Sequence, residues 1–225
     1  MGQGTGHMLC GMLAAGLLTF AGGARAGTLS TRVTTAEGTP VAEAVVIATP
    51  VGQTAPVQVK PGTKAVMVQE HKQFVPFVLP VQIGTTVAFP NRDPFRHQVY
   101  SFSPAKTFEL KLYGNDAAPT VNTATFDKEG PVALGCNIHD NMLAYIYVVG
   151  TPHFSATGGD GEGTIAQLPA GSYAVRVWHP NQKAGQGDGG TVKIGAADTV
   201  QTTVKIELKR SRTQRKPGAV DETEY

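Results

Sequence analysis

Cysteine is scarce in this chain. There are two in 225 residues, and Cys10 lies in the first apolar stretch, which leaves Cys136 alone in the remainder. A lone thiol cannot form a disulfide within its own chain, so no covalent staple is available. Net charge is scarce too: nineteen Lys and Arg oppose seventeen Asp and Glu, which argues against a nucleic-acid binder driven by phosphate contacts. Beyond residues 8–22 no segment is long and apolar enough to cross a bilayer. No Ser-His-Asp pattern, phosphate-cradling glycine loop or paired-carboxylate arrangement stands out, and no stretch keeps a long helical period. The common enzyme classes find no foothold here.

What is present begins with a leader. Residues 8–22 form an apolar core too short to span a membrane comfortably, and Ala24-Arg25-Ala26 follows as a cleavage signal. The segment before it carries no Lys or Arg, so an uncleaved anchor is the competing reading. The expectation is a signal peptide over 1–26, export to the periplasm and no membrane insertion afterwards. In an oxidising compartment an unpaired thiol is buried and inert, committed to a metal, or a liability.

The body reads as all-β. Residues 108–112, 173–177 and 204–208 alternate apolar and polar, as half-buried strands do, and Gly84, Gly114, Gly130 and Gly171 punctuate the runs. Short strands separated by such turns favour a sandwich or barrel.

Chemistry concentrates in Cys136-Asn137-Ile138-His139-Asp140-Asn141-Met142. A thiol, an imidazole and a thioether in one short loop form a soft donor set suited to copper. Strand-like residues 132–135 and 143–149 flank the loop, and His97, between strands expected at 85–89 and 99–102, can add a second imidazole. Each residue also has a plainer role: Cys136 and Met142 as core fillers, His139 on the surface, Asn91 in a turn. His71, His153 and His179 are weaker candidates, with turn or surface duty expected for His179. Phe95, Tyr100 and Phe102 are candidates for an apolar rim round His139, although core packing is the expectation for at least two of them.

These two loops resemble those of the cupredoxin family of blue copper proteins, in particular its compact amicyanin-type members. Cys136, His139 and Met142 match a C-x-x-H-x-x-M loop, and Asn91 through His97 matches N-x-x-x-x-x-H. The phrases Phe89 to Asp93, Val99 to Ser103, Phe108 to Tyr113 and Gly135 to Asp140 also resemble larger bacterial methylamine-utilisation or plastocyanin-like proteins. The resemblance implies Cys136, His97 and His139 as equatorial copper ligands and Met142 as a weak axial one. It implies that the Asn91 side chain ties the upstream loop to the Cys loop. Gln98 departs from the Asn of that pattern, and the loop lacks the prolines found around its His.

Outside the copper module, residues 37–46 and 165–173 resemble the two halves of a carboxypeptidase-regulatory-like sandwich. The expected organisation is therefore a Greek-key cupredoxin sandwich over 56–150, a second and smaller β-sandwich from 27–55 plus 151–208, and a disordered charged tail over 209–225. The expected function is a non-enzymatic carrier cycling one copper between Cu(I) and Cu(II). The resemblance implies a c-type cytochrome or periplasmic dehydrogenase as partner, and a monomer. The competing readings are copper storage or delivery, which a Met-rich or His-rich tract would favour, and a structural cell-envelope protein with a bound metal.

Overall fold

The computed structural model describes residues 1–2, 26–52, 62–118 and 121–209. The expected leader and charged tail lie almost wholly outside the described residues. All seventeen elements among the described residues are strands, so the fold is all-β. Two hydrophobic cores divide them.

The first core belongs to the segment that carries the site. Its larger sheet runs in the order β6 (Val78–Gln82), β12 (Leu143–Val149), β11 (Gly130–Gly135), β8 (Tyr100–Ser103), β9 (Lys106–Glu109). Facing it is a sheet of β10 (Thr123–Phe126), β7 (Thr85–Ala88) and β3 (Lys64–Val66). Phe89, Phe126, Val87, Leu134, Ile146 and Met67 fill the space between, all at or below 1 % exposure. A small hairpin, β4 (Val68–Glu70) with β5 (Gln73–Val75), stands beside them.

The second core is built from both ends of the chain. One sheet is β14 (Glu162–Leu168), β1 (Gly27–Thr34), β17 (Thr199–Lys205); the other is β13 (Phe154–Ala156), β2 (Val45–Pro50), β15 (Gly171–Trp178), β16 (Asp188–Ile194). Leu29, Val33, Val46, Ala48, Leu168, Tyr173, Val175 and Ile194 pack between them. The first strand and the last run parallel, with Thr28 opposite Thr199 and Thr34 opposite Lys205.

The two bodies meet sheet against sheet. On β12, Ala144, Ile146 and Val148 face the first core, while Tyr145, Tyr147 and Val149 face the second body. On β2, Val46 and Ala48 enter the second core, while Val45 and Ile47 join the interface with Trp178. Period-two geometry puts successive side chains on opposite faces, so a strand covered on both sides reads as an unbroken apolar run. That is why Val45 to Ala48 and Tyr145 to Val149 show no alternation.

Some strand limits differ from expectation. The alternating run at 108–112 leaves the ladder after Glu109, and Leu112 is 45 % exposed. The chain there follows residues 97–99 through isolated backbone bonds, Leu110 N–H to Val99 O and a reciprocal pair between His97 and Tyr113. The run at 204–208 likewise ends its ladder at Lys205.

Candidate metal centre

The Cys loop is pinched at its base. Gly135 pairs with Leu143 across β11 and β12, and the Met142 N–H donates to His139 O at 3.0 Å, which closes the turn. Gly135 is glycine because Tyr100 lies on it: a Cβ there would meet the Tyr100 ring 2.7 Å away.

The upstream loop leaves β7 and folds round Asn91. Its Oδ1 accepts from Asp93 N–H at 2.9 Å, an Asx turn, and its Nδ2 donates to the carbonyls of Phe95 (2.8 Å) and Tyr113 (3.2 Å). Asn91 thus shapes its own loop and grips the segment after β9; its described hydrogen bonds do not reach the Cys loop, contrary to the implied role. The loops meet where His97 Nδ1 faces the Cys136 sulfur, and the backbone N–H of Gln98 is directed at the same atom and lowers its pKa. A main-chain contact is indifferent to the side chain, so the Gln98 departure leaves it intact.

His97 is fully buried and held at both ends of its ring. Nε2 lies 2.7 Å from Asp93 Oδ2, and Nδ1 lies 3.8 Å from Cys136 Sγ. His139 presents its own Nδ1 to the same sulfur at 3.8 Å and remains partly exposed. The Phe95 ring packs on both imidazoles, at 5.2 and 5.4 Å between centroids. The donor atoms of His97, Cys136 and His139 all lie within 4.8 Å of one another. Ligand bonds of about 2.0 Å to nitrogen and about 2.3 Å to sulfur at trigonal angles put sulfur about 3.7 Å from each nitrogen. The two sulfur-to-nitrogen distances of 3.8 Å fit one shared ion.

Met142 sits on the same loop, 2 % exposed and in the same apolar cluster as Cys136. Two imidazoles and a thiolate, with a buried thioether on the same loop, suit copper by softness and number.

The electrostatics prepare the thiolate. Burial by itself would raise the Cys136 thiol, but hydrogen bonds from His97, the Gln98 and Ile138 amides and His139 outweigh it and bring the pKa down to about 6. Burial opposes a charged His97, yet the sulfur and Asp93 raise its pKa. Asp93 also pays for burial, and the Lys72 amide, His97 and the His71 amide hold its carboxyl below the usual range.

The structure leaves the remaining candidates apart from this cluster. His153 packs on the Tyr173 ring in the second body. His179 does serve a turn, accepting the Asn181 N–H on Nδ1, but it is buried at 3 % exposure rather than on the surface. His71 contributes only its backbone, whose N–H donates to Asp93. Of the three aromatics, Phe95 lies at the imidazoles, while Tyr100 and Phe102 pair on the outer face of the large sheet, with Phe102 76 % exposed. None is a core residue: outward positions on β8 lack a covering layer. Asp93 and the His71–Lys72 turn escaped sequence reading, because backbone donors carry no side-chain signature.

No known protein family matches the chain, and no curated protein does. Among solved structures it is similar over part of its length to a purple cupredoxin from Nitrosopumilus maritimus, at 19 % identity, covering 38 % of this chain and 99 % of that one with a TM-score of 0.33. It is similar to amicyanin from Paracoccus versutus at 19 % identity, covering 46 % and 97 % with a TM-score of 0.35. A copper-containing nitrite reductase from Thermus scotoductus SA-01 is 26 % identical over 44 % of this chain and 25 % of its own, with a TM-score of 0.35.

Proposed function

We propose that the chain is an exported blue copper protein that passes single electrons between redox partners. The observation that carries this reading is the convergence of two imidazole Nδ1 atoms on one buried sulfur at 3.8 Å. His97, Cys136 and His139 would be the equatorial ligands and Met142 the axial one; bound there, copper supplies a one-electron couple. Buried strands and short loops hold those donors in place through a change of charge, which keeps reorganisation small. His139, partly exposed beside Phe95, offers the edge through which an electron can pass to a docked partner. A c-type cytochrome or periplasmic dehydrogenase suits that edge, since carriers of this kind dock through small interfaces. The leader expected over residues 1–26 supports a periplasmic location, and the flanking sandwich is proposed as a regulatory-like support.

The test is to load the chain with Cu(II), record the visible spectrum, and titrate it reductively. The reading expects an intense thiolate-to-copper band that bleaches reversibly with one electron. A colourless product holding tight zinc would favour a structural metal, and copper lost on reduction would favour storage or delivery.

A further inference from the structure

The ligand reading leaves one carboxylate without a task. Asp93 is 4 % exposed, and its oxygens face three donors: Nε2 of His97 at 2.7 Å, the His71 N–H at 2.7 Å and the Lys72 N–H at 2.9 Å. A charge so buried persists only where hydrogen bonds saturate it. The two amides come from the tip of the β4–β5 hairpin, where His71 and Lys72 have φ of 54° and 56°. Left-handed backbone at both central residues is the geometry of a tight hairpin turn, and here it aims successive N–H groups at one acceptor.

The hairpin is itself fixed to the upstream loop. Gln69 N–H donates to Pro90 O and Arg92 N–H to Gln69 O, both at 2.9 Å. Glu70 and Arg92 add an exposed ion pair at 3.7 Å. The hairpin therefore grips both oxygens of Asp93, His71 at Oδ1 and Lys72 at the Oδ2 that also faces His97. An imidazole whose Nε2–H is held by a carboxylate keeps Nδ1 free for a metal, keeps its ring orientation, and becomes a stronger donor.

We propose that the β4–β5 hairpin is a positioning element of the metal centre: the His71 and Lys72 amides lock Asp93, Asp93 holds the Nε2–H of His97, and the strengthened Nδ1 favours Cu(II) over Cu(I). The inference rests on the copper reading. Asp93 is a positioning residue that acts through the imidazole.

Two measurements test it on the full chain. In the metal-free protein, histidine-labelled NMR should show a downfield, exchange-protected Nε2–H on His97 that is lost in Asp93→Asn. In the copper-loaded protein, Asp93→Asn should keep the thiolate band while raising the Cu(I)-to-Cu(II) affinity ratio about tenfold, or about 59 mV in potential. His71→Gly keeps the amide and suits the positive φ, so its potential should match that of the unaltered chain. An Asp93→Asn potential that does not move, or a His71→Gly potential that moves as far, overturns the proposal. If Asp93→Asn fails to fold, the resonance in the unaltered chain decides, and a His97 without a protected Nε2–H overturns the clamp. The bond without any copper band overturns the carrier reading and its effect on potential together; a copper band without the bond overturns the clamp alone.

Discussion

The two sandwiches solve the same packing problem with different interiors. The second body fills its core with aliphatic side chains and Tyr173, and its buried polar groups, Thr31, Thr157 and His179 among them, stand apart from one another, Thr157 bridging backbone groups of Val41 and Ala44. The first body admits His97, Asp93, Asn91, Gln69 and Cys136 to its interior at one end. Buried polar groups cost stability unless every partner is in place. Both bodies bury polar groups, but only the first gathers titratable ones, His97, Asp93 and Cys136, into one contiguous cluster.

The sharpest way to break that comparison is to remove the sulfur. Cys136→Ser should abolish the thiolate-to-copper band altogether, while the metal-free chain loses only about 1 kcal/mol in urea unfolding. A variant that keeps the band would dismiss Cys136 as a ligand. The converse substitution is Leu29→Ala, at a fully buried position in the second core. It should cost about 2–5 kcal/mol in stability, and the copper band of the folded protein should stay in place. A shifted band would mean that the bodies share more than an interface.

The smallest expected effect is a pH slope in the second body. Burial lowers the His179 pKa from 6.5 to about 4. The unfolded chain then binds the proton more readily, so this contribution is complete above the unfolded value and is lost as pH falls toward about 4. His97, whose pKa is raised, works in the opposite direction, so the difference between two variants is the clean measurement. Urea midpoints of the metal-free chain should fall less steeply on acidification in His179→Gln than in the unaltered protein. Equal slopes would remove His179 from the account.

Much of this architecture was legible because it is local. Cys136, His139 and Met142 lie within one loop, so their spacing could be read directly, and alternation at 173–177 marked the inner face of β15. His97 needed a second motif, since nothing in its neighbours says that two distant loops meet. The role of Asn91 was misassigned because an amide side chain can reach several carbonyls, and only the folded loop selects Phe95 and Tyr113. The Asp93 clamp was invisible for a deeper reason: its donors are main-chain groups some twenty residues away, presented by a turn made without glycine. Strand limits slipped where backbone bonding becomes irregular, as after Glu109.

The parallel pairing of β1 with β17 has a mechanical consequence. The chain enters this ladder at Thr28 and leaves it at Lys205, at opposite ends of two strands that point the same way. A pull on the two ends would therefore load the rungs together in shear instead of opening them one by one like a zipper. The tension would pass along these two strands, and the inserted sandwich with its candidate metal centre would hang outside the line of force.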